Sequence, residues 1–287
     1  MRRSIGSIVP AVALAAALTA CGGGTSKADF VAKADPACAP GNASIGDVAK
    51  PANLAQVATA AGTLQTTVDA QVSRLRGLDL PGGDDKKLAE GAIAALADVG
   101  GSARAMQEAA GRNDDVATAT ATAETRAKID NAATQAGVAG MNQCGRGLQG
   151  AFGNIWEGTR STLKTAYVAK GEALCRDTAR KADALTAPGA SGASLSRFID
   201  SLLPLMTKLA ADIKALPVVP GDEATITELT AALDNSLPKL KDFGAAAKAN
   251  NTRLAASLSE ELDVLSTAAN AKLDSYGLRA CGTLGEV

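Results

Sequence analysis

Histidine is absent from all 287 residues. Its absence excludes Ser-His-Asp and Cys-His catalysis, imidazole metal ligation and any switch that works by protonating an imidazole near neutral pH. Aromatic residues are almost as scarce, with one Trp, two Tyr and four Phe. Cores must then be built from aliphatic side chains and from Ala, a composition that favours helices in close contact. Charge of one sign is missing too. The formal balance is −1, or −3 if residues 1–20 are removed, so there is no electrostatic footprint for nucleic acid. Phosphate-binding loops, dinucleotide fingerprints and nucleophile elbows are not found either. No catalytic, cofactor-binding or metal site is expected.

The start of the chain is informative. Met1-Arg2-Arg3 is a short basic head, and Ile5 to Ala20 is dominated by Ala, Val, Leu and Ile, the layout of an export signal. The run is shorter than the ~20 residues that a membrane span needs. It ends in Leu18-Thr19-Ala20-Cys21 followed by three glycines. These four residues resemble the lipobox of bacterial lipoprotein precursors. That resemblance implies a diacylglycerol on the Cys21 thiol and cleavage just before it. Residues 1–20 are then a removed signal peptide and 21–25 a flexible tether. The location implied is the outer face of the cell membrane, with the bilayer as a partner through the lipid.

Four cysteines remain. Cys38 and Cys144 are 106 residues apart, as are Cys175 and Cys281, and the second pair follows the first at an offset of 137. The surroundings repeat at the same offset: Phe30-Val31-Ala32-Lys33 against Tyr167-Val168-Ala169-Lys170, Gly140 against Gly277, and Gly145 against Gly282. We read a tandem duplication. Repeat 1 is 26–145, a Gly-rich linker is 146–160, repeat 2 is 161–282 and 283–287 is a tail.

Each repeat reads as four helices. In the second, Leu195, Phe198, Leu202, Leu205, Leu209, Ile213 and Leu216 recur at three- and four-residue steps, as do Ile226, Leu229, Leu233, Leu237, Leu240 and Phe243. In the first, Leu54, Val57, Ala61, Leu64, Val68, Val72 and Leu75 form one stripe. "PGGDD" at 81–85 and "PGDE" at 220–223 mark equivalent helix starts with Asp available as N-cap. "VATATATAE", 116–124, alternates as a strand would, but its counterpart 254–265 is striped with leucine, so helix is expected. Pro36, Pro40, Pro204 and Pro238 predict kinks or breaks. The first repeat has fewer large apolar residues, which predicts the weaker core.

The fold expected is all-α: two tandem four-helix up-down bundles, each closed by a disulfide. Exported cysteines tend to pair, and four allow three pairings. Cys38–Cys144 with Cys175–Cys281 is favoured, because a single two-cysteine module would have closed on itself. Cross-repeat pairing respects the duplication equally, and a zinc site is the rival, though no Cys-x-x-Cys exists.

Chemistry is sparse. Asp84-Asp85, Asp114-Asp115, Asp222-Glu223 and Glu260-Glu261 are the paired carboxylates. They can serve acid–base work or bind calcium, or simply complement helix starts and polar faces. Phe152, Ile155 and Trp156 form one apolar turn and a possible interface. The Ala-rich, Lys-poor texture with lipobox and paired cysteines resembles secreted lipoproteins of high-GC bacteria. The function expected is a non-enzymatic binding or scaffold module for an envelope protein. The alternatives are a carrier of an apolar or lipid ligand between the repeats and, last, an envelope enzyme using paired carboxylates.

Overall fold

The structure, a computed structural model, describes residues 25–189 and 191–282. The signal segment, Cys21 and the 283–287 tail lie outside the described residues. Those residues are mostly helical, and the one β contact among them is an isolated bridge between Thr25 and Pro81. The elements are α1 (Lys27–Gly46), α2 (Leu54–Arg76), α3 (Gly83–Gly111) and α4 (Asp115–Ala139), then a π-helical turn (Gln143–Gly147) and α5 (Leu148–Ala151). They continue with α6 (Gly153–Asp183), α7 (Gly192–Lys214), α8 (Glu223–Lys248), α9 (Thr252–Tyr276) and α10 (Arg279–Gly282).

Local chemistry explains the boundaries. Ser26, Asn53, Asp114, Ser191 and Asn251 accept a backbone N–H of the turn they precede, filling one of the donors a helix start leaves open. At the C-termini of α4 and α9, Gly140 and Gly277 take the left-handed conformation, with φ of 90° and 109°. The next residue then bonds back, Met141 N to Ala136 O and Leu278 N to Leu273 O, both at 2.8 Å. The Asp caps expected at two starts are corrected. Gly82 caps α3, and neither its start nor that of α8 has a side-chain cap bond, because the Asp222 carboxylate is engaged elsewhere.

The period-two segment is helical. In α4 the buried hydroxyls of Thr118, Thr122 and Thr125 bond the carbonyls four residues back, at 2.6, 2.6 and 2.7 Å. A β-branched residue is thereby tolerated inside a packed helix without an unpaired polar group. The four prolines do not end their helices either. In α1 the turn between Pro36 and Pro40 is supported by α2, where Gln71 donates to Cys38 O at 2.8 Å and Arg74 to Ala37 O at 3.1 Å.

The contacts of α2 with α3, and of α8 with α9, run in opposite sequence order, so each of these pairs is antiparallel. Gly62 faces Gln107 and Gly100 faces Asp69 between α2 and α3, while Lys128 pairs with Asp98 between α4 and α3. Gly244 meets Ile199 between α8 and α7, and Lys239 and Lys272 pair with Glu261 and Glu228 between α8 and α9. The disulfides are Cys38–Cys144 and Cys175–Cys281, each within one repeat.

Equivalent details recur 137 residues apart. Asn113 and Asn250 both have positive φ, 55° and 53°. Asp35 accepts from Gln143 N at 2.9 Å, and Glu172 from Ala280 N at 2.7 Å. Lys27 pairs with Asp85, and Lys164 lies 3.9 Å from Asp222. Helices α2 and α7, both 23 residues, are instead offset by 138.

Two corrections concern the first repeat. Residues 145–160 are helical, and Leu148, Phe152 and Ile155 belong to the first core, each fully enclosed. The apolar spacing 148, 152, 155 is one helical stripe, which the glycines between them had masked. The first core is therefore the more enclosed of the two. Phe30, Ile45, Leu64, Leu75, Leu96, Met106 and Ile129 are also wholly buried, whereas Phe198, Leu202, Leu237, Leu240, Phe243, Leu262 and Leu265 of the second repeat are only half-buried.

Candidate functional site at Trp156

Of the three residues singled out from the linker, two are structural. Phe152 and Ile155 point into the first core, and Trp156 lies partly buried against it. The Phe152 and Trp156 rings are 6.3 Å apart at 44°. Trp156 borders a groove of about 540 Å³ whose other walls include Gly46, Lys50, Arg126, Asn154 and Glu157. α1 delivers Gly46, the following loop delivers Lys50, α4 delivers Arg126 and the first turns of α6 deliver the rest. Asn154 fixes that meeting by donating to Gly46 O at 3.1 Å.

The indole is flanked by two guanidinium groups, Arg126 at 5.6 Å and Arg160 at 5.9 Å from the ring centroid. Such cation–π contacts contribute ~0.5–1 kcal/mol at exposed sites. Each Arg is also held at its far side. Arg126 pairs with Asp130 at 3.2 Å, and Gln149 donates to the other Asp130 oxygen at 2.7 Å. Arg160 donates to Pro220 O at 2.8 Å and to Asp222 at 2.7 Å. Tyr276 donates to the second Asp222 oxygen at 3.0 Å, and the Lys164 ammonium lies 4.3 Å from the Tyr276 ring centroid. Burial, then the bond to Asp222 and its charge, push the Tyr276 phenol well above its ordinary range. Burial alone raises Tyr167, which meets Tyr276 edge to face at 5.7 Å.

The two helical units meet beside this groove. Lys170 of α6 pairs with Asp115 of α4 at 2.6 Å, and Thr162 donates to Pro51 O at 3.2 Å. A Cβ on Gly158 would lie 2.3 Å from Pro51 Cδ, so only glycine lets α6 approach there. Ala119 and Leu54 of the first repeat pack in the second core.

The paired carboxylates are separated and tied down. Asp84 pairs with Lys87 and Asp85 with Lys27; Asp114 caps α4 while Asp115 holds Lys170. Asp222 holds Arg160, Glu223 accepts from Gly221 N, and Glu261 pairs with Lys239. Glu260 is exposed on α9. Among the described residues no group of three or more Cys, Asp or Glu is placed to hold a metal, and no helix is long and apolar enough to cross a membrane.

Sequence reasoning found Trp156 and missed its partners. Arg126, Arg160 and Lys50 carry no motif, and Arg126 and Lys50 are distant in the chain. Asp222, which holds Arg160, is legible in the sequence only as a helix-start Asp and one of the paired carboxylates. Comparison with family models, with curated proteins and with solved structures finds no match for the chain.

Proposed function

We propose that this protein is an exported lipoprotein, anchored through Cys21 to the outer face of the cell membrane, that acts as a non-enzymatic binding or scaffold module. Its mature part is two tandem four-helix up-down bundles, residues 26–145 with the helical extension to 160, and 161–282, each closed by its own disulfide. The caps, turns and hydrogen bonds that recur at offsets of 137 and 138 support the duplication. The disulfides suit an oxidising compartment and agree with the export segment.

The observation that carries the binding role is Trp156. It is the sole Trp, half-exposed where the two units meet, held between two arginines on the wall of a groove. Trp and Arg are the side chains most enriched at energetically dominant contacts. The exposed Lys50 and Glu157 beside them suit a polar, charge-bearing protein surface better than an apolar ligand. An apolar carrier working between the repeats draws less support, because Gly158 and Pro51 already close that junction.

Crosslinking in intact envelope tests both halves. Wild type should capture a partner that Trp156→Ala and Lys50→Glu lose while the protein stays folded. Cys21→Ala should leave the membrane fraction or remain uncut. Unchanged capture by both groove variants sinks the binding site, and normal processing with retention sinks the anchor.

A further inference from the structure

We propose that the first bundle stands end-on against the bilayer, its contacting face formed by the starts of α1 and α3 and the end of α4, while α6 holds the Trp156 groove and the second bundle away from the membrane. This rests on the Cys21 anchor proposed above. It adds the surface that meets lipid and the direction in which the partner site points.

The tether length sets the geometry. From Cys21 to Thr25 there are four peptide steps of about 3.8 Å, so Thr25 lies within about 15 Å of the lipidated residue however that segment runs. Thr25 is not at the end of a loose arm. It forms a bridge with Pro81, just before α3, and Ser26 caps α1. Lys27 then ties α1 to two further helices, pairing with Asp85 of α3 at 3.3 Å and donating to Val138 O at the end of α4 at 3.3 Å. The same end carries Val138, 55% exposed, a large apolar side chain facing water. Asp84 and Asp85 stand beside Lys86 and Lys87 there. The face is close to neutral, so the covalent anchor rather than charge brings it to lipid.

The remaining geometry follows the helices. α1 has 20 residues and rises about 30 Å to Gly46, where Asn154 ties on α6 and the Trp156 groove opens. α6 passes the start of α2 at Pro51 and the start of α4 at Asp115, both at the end of the first bundle remote from Thr25, and continues into the second core. The contacts that receive it, Arg160–Asp222 and Asp222–Tyr276, lie at the end of the second bundle equivalent to Lys27 and Asp85. The bundles are therefore stacked head to tail. Leu254, at the start of α9, is a further bundle length away.

The test uses the lipidated full chain in vesicles of phosphatidylcholine and phosphatidylglycerol that contain dansyl-phosphatidylethanolamine, with Trp as energy donor. Native Trp156 needs no substitution and should show little loss of emission. In a Trp156→Phe background, Val138→Trp should lose much of its emission to the headgroup dansyl and Leu254→Trp should lose none. Both sites are exposed apolar positions, so the substitutions leave the cores intact. High salt should not release the protein. Strong quenching at Leu254→Trp or at native Trp156, in protein that floats with the vesicles, overturns the end-on arrangement and leaves the anchor standing. Failure to float overturns both.

Discussion

Phe152→Ala measures how far the first bundle depends on the segment that follows its second cysteine. Phe152 is fully enclosed in the first core, beside Leu148 and Ile155. Transfer of a buried Phe side chain to water costs about 1.5–3 kcal/mol, and the cavity left behind brings large-to-small changes at such sites to about 3–5 kcal/mol. For cooperative units of this size that is a fall of about 6–20 °C in Tm. Urea unfolding followed by Trp156 fluorescence reads the effect locally, since Trp156 is the sole Trp and its ring faces Phe152. Phe198→Ala in the second bundle is the control. That ring is half-buried and should give a smaller loss. A loss below about 1 kcal/mol for Phe152→Ala, or a larger one for Phe198→Ala, would refute the reasoning that residues 148–156 complete the first core.

The two disulfides close loops of equal length, each with a separation of 106, so their chain-entropy contributions of up to about 4.7 kcal/mol should match. Removing Cys175 and Cys281 together should abolish cooperative unfolding of its bundle under milder conditions than removing Cys38 and Cys144, because the second core is less enclosed; the reverse order in thermal scans contradicts this. Gly158→Ala should loosen the junction, at a cost of about 1–3 kcal/mol, since its Cβ meets the Pro51 ring and backbone rather than a yielding side chain. An unshifted Trp156 emission spectrum and midpoint would count against that contact. Both tyrosines of the chain have raised folded-state pKa values, above the ~10 of an unfolded Tyr. The unfolded state then loses protons first, so this stability is present below about pH 10 and is lost as pH rises toward the folded values. Tyrosinate absorbance should therefore rise only together with alkaline unfolding; ionisation of either ring in a chain still folded by circular dichroism would show the burial to be wrong.

The helical class was legible because leucine stripes at three- and four-residue steps fix which face is buried before any partner is known. The repeat needed only positions, and the paired cysteines with matching spacing made the within-repeat disulfides the simplest choice. Even the Thr/Ala alternation of α4 could be assigned through its leucine-rich counterpart, although the reason it works, the back-bonded hydroxyls of Thr118, Thr122 and Thr125, belongs to the folded chain. Tertiary structure decided what depends on residues distant in sequence. It made a helix of the glycine-rich 146–160 stretch, because Phe152 and Ile155 gain a core to enter and Gly158 gains Pro51 to lie against. It also placed Arg126, Arg160 and Lys50 around Trp156, and gave most of the paired carboxylates separate partners. Local pattern encodes the burial of a face, but an ion pair or a groove wall exists only once two faces have met.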